Sequence, residues 1–365
     1  EILIGLVGSE MCIRDRHYGA FIIEAKGAIE GAELIGETVS DYTITAGDVK
    51  LDIADLEKKY DAVLEPIFKN SLPEMLRPVS VAYDKGCDLL INKAPGTIAK
   101  PKVLIPVFPG TNCEYDMAAA FNRYGGEAEI FVIRNLSAKN MEDSVNEFAK
   151  RIENSQMIAI PGGFSSGDEP EGSAKFINAF FRNPKIKDAV ENMLYARDGL
   201  MIGICNGFQA LIKLGLVPFG KIVPLSSESP TLTYNTIGRH QSQLALTKIC
   251  TNKSPWLMHC KVGEVYNIPI SHGEGRFVAS DEVIAKLIEN GQVATQYVDL
   301  NGEPTMDLAY NPNSSMCAIE GIISPDGRVL GKMGHTERIS SDTCVNVDGN
   351  KEQLLFKGGV DYFKL

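Results

Sequence analysis

Twelve residues, Leu200-Met201-Ile202-Gly203-Ile204-Cys205-Asn206-Gly207-Phe208-Gln209-Ala210-Leu211, constrain this chain more than any other stretch. Leu200 to Ile204 has the length and unbroken apolar content of a strand buried on both faces. Phe208, Leu211 and Ile212 then fall at helical spacing, and Gly215 supplies a stop. A strand that turns at once into a helix passes through strained backbone, and Gly203 and Gly207 read as the residues that tolerate it. Cys205, at the apex, is pushed out of the sheet beside free N–H groups and the positive end of a helix. Both favour a thiolate over a thiol. The pattern predicts a nucleophile elbow. The plainer alternative is a buried cysteine closing a strand, which the flanking glycines disfavour.

The chain around this elbow has 365 residues, enough for two domains with separate cores. Its net charge of −11 argues against a nucleic-acid or anionic-membrane surface. No apolar run reaches the roughly 20 residues of a membrane span. The eight cysteines lack paired C-x-x-C spacing, so neither a metal site nor a disulfide framework is expected. Free cysteines without a signal peptide read as cytoplasmic.

Val7 to Arg16 reads as a translated sequencing adapter, and residues 1–16 are set aside as an artefactual or disordered terminus. An ordinary strand-forming terminus is the alternative. Further on, Tyr18 to Glu24 is strand-like, Ala28 to Ile35 has the pattern of a short helix, and Tyr42 to Leu51 reads as strand, turn and strand. Ile53, Leu56, Tyr60, Val63, Leu64 and Ile67 follow helical spacing, which predicts a helix from Asp52 to Lys69. Residues 17–91 thus read as the end of a partial α+β domain, and 92–101, with Pro95, Gly96 and Pro101, as a linker.

From Lys102, strands (Val103–Phe108, Ala128–Ile133, Met157–Ile160, Leu200–Ile204) alternate with helices, one of them capped by Asn112. This predicts an α/β domain over 102–365 with a doubly wound, mostly parallel sheet. Its loops after Phe108, Ile160 and Ile204 should meet at one edge. Beyond Pro218 the pattern is β-rich, and Val329 to Met333 delivers Gly334-His335-Thr336-Glu337-Arg338.

A cysteine nucleophile needs a base, and His335 is the best candidate. Glu337, two residues on, projects to the same side of extended backbone and can orient the imidazole. An oxyanion site is expected from the N–H of Asn206, just after the nucleophile, and from Gly163 in Pro161-Gly162-Gly163-Phe164-Ser165-Ser166-Gly167-Asp168. A plain tight turn is the other reading of Gly162-Gly163. Cys113 is the rival nucleophile, but Glu114 and Asp116 beside it disfavour a thiolate, so it reads as a structural turn near the site. Ser165, Ser166 and Asp168 lack a fixed histidine. His272-Gly273-Glu274-Gly275-Arg276 reads as a loop that binds substrate or a partner domain, with a charged surface turn as the alternative. His240 and His259 read as structural. No phosphate loop and no dinucleotide fingerprint is present.

Gly203-Ile204-Cys205-Asn206-Gly207 with His335-Thr336-Glu337 resembles a triad-type glutamine amidotransferase of flavodoxin-like fold. Val107-Phe108-Pro109-Gly110-Thr111-Asn112-Cys113, the 161–168 loop and His272-Gly273-Glu274-Gly275-Arg276-Phe277 narrow the resemblance to the glutaminase domain of the phosphoribosylformylglycinamidine synthases. It spans about Lys102 to Leu365, and residues 17–91 resemble the end of the synthetase region in the long, single-chain form. The resemblance implies that Cys205 forms a glutamyl thioester from L-glutamine, with His335 and Glu337 completing the triad and Gly163 and Asn206 holding the oxyanion. It further implies Gln209, Phe164 and His272 as glutamine contacts, with no cofactor bound by this chain. ATP and Mg2+ belong to a synthetase region that receives the ammonia. Thr336 departs from the proline that many such proteins carry between the His and Glu. A cysteine peptidase or γ-glutamyl hydrolase on the same fold, and a non-catalytic interaction domain, are the competing readings.

Overall fold

The computed structural model describes residues 2–6, 21–67, 78–91, 97–165 and 173–365. They form two compact units, 1–70 and 71–365. In the first, β1 (Ile2–Leu6) lies between β2 (Ile22–Ala25) and β3 (Ala32–Glu37), antiparallel to both. The stretch set aside on sequence grounds therefore contributes a strand, while 7–16 lie outside the described residues. Ala32–Glu37 is extended where a short helix was expected; Gly31, at φ 80, and Gly36 disfavour helix on either side. β4 (Thr43–Ala46) and β5 (Val49–Asp52) form the expected hairpin, with Gly47 at φ 58 in the turn. Asp52 then caps α1 (Ile53–Leu64) by accepting the Asp55 N–H at 3.1 Å. The helical spacing is right, yet α1 buries none of its residues, and Tyr60 and Val63 are largely exposed.

The second unit begins before the expected linker. Val81 donates its N–H to Gln296 Oε1 (2.9 Å), and the Tyr83 N–H donates to the Cys250 carbonyl (2.8 Å). Residues 78–91 therefore pack with the larger unit, which starts at about residue 71. Residues 92–96 of that linker lie outside the described residues.

β6 (Lys102–Val107), α2 (Glu114–Arg123), β7 (Glu127–Val132), α3 (Ala138–Glu153), β8 (Met157–Ile160), α4 (Lys175–Phe181), α5 (Pro184–Glu191), β9 (Leu200–Ile204) and α6 (Asn206–Leu214) form the alternating part. Every residue of β8 and β9 is buried, as expected for strands covered on both faces. In α3, Ser137 caps the first turn, and Val145, Phe148 and Ile152 carry the buried stripe. Asn112 does not cap α2; Cys113 occupies that position without a side-chain cap, and its thiol donates to Asn112 Oδ1 (3.0 Å).

The later strands are β10 (Thr231–Tyr234), β11 (Gln241–Ile249), β12 (Val265–His272), β13 (Glu274–Val278), β14 (Val293–Tyr297), β15 (Ile319–Ile323) and β16 (Val329–Lys332). They are joined by α7 (Asp281–Glu289) and followed by α8 (Leu355–Tyr362). One nine-stranded sheet runs β12-β11-β14-β15-β16-β9-β8-β6-β7. The pairs from β16 through β7 are parallel, as the α/β reading requires. Those from β12 to β16 are antiparallel, so the β-rich part continues the same sheet. β10 and β13 form a separate ribbon, which puts Glu274-Gly275-Arg276 in a strand where a loop was expected. Among the described residues no helix is long and apolar enough to cross a membrane.

Candidate active site

β9 ends at Cys205, whose φ of 52° and ψ of −107° lie outside the comfortable regions for a side-chain-bearing residue. The strain therefore sits on the cysteine, not on the glycines beside it. Gly203 and Gly207 serve close packing. A side chain at Gly203 would come within 2.6 Å of the Gly207 backbone, and one at Gly207 would overlap the Ile160 carbonyl. α6 thus lies directly on the sheet, ending at Gly215 with φ 85 as expected.

β16 runs parallel to β9, with Lys332 opposite Ile204, and the Cys205 N–H donates to the Lys332 carbonyl (2.9 Å). Three residues later His335 Nδ1 meets Glu337 Oε1 at 2.6 Å, both residues almost fully buried. Gly162 packs between the two arms. A Cβ there would stand 2.7 Å from His335 Cε1, 3.2 Å from Cys113 Sγ and 3.4 Å from Cys205 Cβ. Cys205, His335 and Glu337 thus converge at the carboxyl ends of neighbouring parallel strands. Burial disfavours charge on His335, but Glu337 and then Cys205 outweigh it and hold the imidazole pKa well above its ordinary value. The arrangement sets a cysteine beside a histidine that is oriented by a carboxylate.

Gly163, with φ 142, packs its α-carbon against the 110–112 turn, where a side chain would stand 2.5 Å from the Gly110 carbonyl. Asn206 opens α6, and its Oδ1 accepts the Ser165 N–H (3.3 Å). Asn206 Nδ2 donates to Gln209 Oε1 (2.8 Å), and Gln209 Nε2 donates to the Glu274 carbonyl. A cleft of ≈ 290 Å³ opens over Cys205, lined by Phe164, Gln209, His240, His272 and Glu274 among others. Phe164 is half-exposed at its mouth. His272 is buried, and neither ring nitrogen has a hydrogen-bond partner among the described residues. Burial first, then His335 and His240, push its pKa down to about 3, so it is neutral.

Several residues differ from their sequence-based reading. Cys113 stands 3.9 Å from His335 Nδ1 and accepts from Arg338 Nη2 at 3.0 Å, so a guanidinium counters the nearby carboxylates. Arg338, immediately after Glu337, is the signal that would have found this pairing. His240 lines the cleft and bonds Ser271 Oγ (2.9 Å), and His259 pairs with Asp361 (2.9 Å). Ser165 is buried beside Asn206, while Ser166 and Asp168 lie outside the described residues. Ligand atoms of Cys113, His335 and Glu337 lie within 4.8 Å of one another. The 2.6 Å between Nδ1 and Oε1 is a hydrogen-bond distance. Two ligands of a tetrahedral zinc would stand about 3.4 Å apart.

A glutamine amidotransferase domain model, described as CobB/CobQ-like, matches residues 100–363. The phosphoribosylformylglycinamidine synthase subunit PurQ of Chlorobium chlorochromatii is 34% identical over 262 residues, covering 69% of this chain and 93% of that protein. The same subunit from Methanocaldococcus jannaschii is 32% identical over 263 residues, covering 72% and 99%. Among solved structures, PurLQS from Thermotoga maritima aligns with a TM-score of 0.51 and 26% identity, over 73% of this chain and all of the matched one. With the elbow and the dyad in place, these matches show that the chain belongs to the CobB/CobQ-like glutamine amidotransferase family and is an enzyme of the glutamine amidotransferase type.

Proposed function

We propose that this chain is the glutaminase part of a phosphoribosylformylglycinamidine synthase, releasing ammonia from L-glutamine for purine biosynthesis. The observation that carries the reading is the strained Cys205 elbow facing the buried His335–Glu337 dyad. The Cys205 sulfur bonds to the side-chain amide carbon, and His335 gives its proton to the leaving nitrogen as the C–N bond breaks. Ammonia departs and a glutamyl thioester remains. His335 then takes a proton from water, whose oxygen attacks the thioester carbon as the C–S bond breaks, freeing glutamate and restoring the Cys205 thiolate beside a protonated His335. The N–H groups of Gly163 and Asn206 stabilise the oxyanion in both steps. Phe164, Gln209 and His272 contact the glutamine; of these, His272 offers two unpartnered ring nitrogens.

The ammonia acceptor is a synthetase that binds ATP with Mg2+ and formylglycinamide ribonucleotide; this chain needs no cofactor for its own half-reaction. The relatives named PurQ, and the PurLQS assembly, support such a partner. Residues 17–91 are read as the end of that synthetase in a long, single-chain form, working in the cytoplasm. In the assembled enzyme, Cys205→Ala abolishes glutamine-dependent synthesis and leaves ammonia-dependent synthesis intact. Glutamine-dependent synthesis that survives the substitution refutes the reading.

A further inference from the structure

We infer that Lys332, Glu320, Thr336 and Gln353 form a buried lock that positions the His335–Glu337 dyad against Cys205. The inference rests on the glutaminase reading above for the reaction it serves. Lys332 and Glu320 are each only 1% exposed, an ammonium and a carboxylate taken out of water within the sheet. Lys332 Nζ donates to Thr336 Oγ1 and to Gln353 Oε1, both at 2.8 Å, and faces Glu320 Oε1 at 3.7 Å. Two of its N–H groups are thereby hydrogen-bonded, and its charge is paired with the Glu320 carboxylate. Glu320 Oε1 accepts the Gly334 N–H at 2.6 Å, and its other oxygen accepts from the Thr295 hydroxyl. The Thr336 hydroxyl also donates to Gln353 Oε1 (3.0 Å).

These bonds fall on both sides of the base. Glu320 holds the backbone of Gly334, immediately before His335, and Lys332 with Gln353 holds the side chain of Thr336, immediately after it. The Lys332 carbonyl meanwhile holds the N–H of Cys205. One residue therefore touches the nucleophile's backbone through its main chain and, through its side chain, the hydroxyl of the Thr336 that stands between the two dyad residues. Apolar residues of the same size would fill this layer at no greater cost, because a buried ion pair rarely repays its desolvation. What the polar set adds is a fixed direction for residues 334–336, and a base displaced by about 1 Å can cost a hundredfold in rate. Charges facing the dyad come from several elements. His335 meets Glu337, Cys205, Cys113 and His272; Lys332 meets Glu320, Glu337 and Cys260.

The full chain tests this in two ways. Thr336→Val should lower kcat for glutamine hydrolysis about tenfold with KM within about twofold, and Thr336→Ser should recover most of the loss. Separately, the titration of His335, read from its ring resonances by NMR, needs no substrate. Lys332→Met removes a nearby cation and should move that titration up by about half a unit or more; Glu320→Gln removes an anion and should move it down. Opposite shifts are a signature that mere destabilisation does not produce. Shifts in one direction, or none, overturn the inference, as does a Thr336→Val enzyme with wild-type kcat. If Lys332→Met fails to fold, the Thr336 pair with Gln353→Leu decides in the same way, Gln353→Leu being expected to match Thr336→Val. A wild-type chain that does not hydrolyse glutamine yet shows the opposed shifts overturns the glutaminase reading and leaves the lock standing.

Discussion

Cys205 carries backbone strain that a glycine would not, since φ 52 with ψ −107 is accessible mainly without a Cβ. Both Cys205→Ala and Cys205→Gly remove the thiol, but only the glycine relieves the strain. Cys205→Gly should therefore be more stable than Cys205→Ala by about 1 kcal/mol, measured by denaturant unfolding. The opposite order would mean that the elbow is relaxed. Gly162 is the other sensitive position, because a methyl there meets His335 Cε1 at 2.7 Å. Gly162→Ala should cost about 1–3 kcal/mol of stability and lower kcat by at least about tenfold. Cys205 ends an apolar run, His335 follows a strand and Glu337 lies two residues on, so their convergence was legible in the sequence, and the structure brings the three together. The part played by Gly162, and the Arg338 contact on Cys113, were not legible. Both depend on what faces a residue across the site, which one-dimensional spacing does not carry.

Among the elements, strands and helices of the alternating part were legible to within a few residues, since buried strands and amphipathic helices announce themselves by period. β13 was missed because Glu274-Gly275-Arg276 breaks any apolar alternation; it is a strand through pairing with β10. α8 was missed because Gly358 and Gly359 lower helix propensity. Its packing requires them, since a side chain at Gly358 would come within 2.6 Å of the Trp256 carbonyl and one at Gly359 would overlap the indole. The same logic applies to Gly331 in β16, where a Cβ would overlap the Phe208 ring of α6. Gly331→Ala should push that helix from the sheet and lower the unfolding midpoint by the equivalent of about 1–3 kcal/mol. α1 shows the converse failure. Its stripe of Ile53, Leu56 and Tyr60 predicts a helix correctly but implies a buried face that the described residues of its unit do not supply.

Across the molecule, two buried histidines give stability opposite dependences on pH. His272 binds its proton less readily when folded, at about 3 against 6.5, so the unfolded chain takes up more protons between those values. Its contribution is present above about pH 6.5 and is lost as pH falls toward 3, up to about 5 kcal/mol. His335 is raised when folded, so its contribution is present below the ordinary imidazole value and is lost as pH rises through the raised one. His272→Gln should flatten the acid side of the stability profile, measured by chemical denaturation at successive pH values, and leave the alkaline side unchanged. An acid side as steep as in the wild type would mean that His272 is not held neutral.

The position of β16 in the sheet has a consequence for how the protein is made. This strand joins the parallel and antiparallel halves, yet it follows the other eight strands of the sheet in chain order, so all of them leave the ribosome before the central strand exists. Until then β9 and β15 each present an unpaired edge, the kind of surface that draws in other chains. Cys205 emerges 335 − 205 = 130 residues ahead of His335, a lag of roughly ten seconds at ordinary rates of translation. During that interval the nascent chain carries a thiol without its base and two open sheet edges. Arrival of β16 closes both at once.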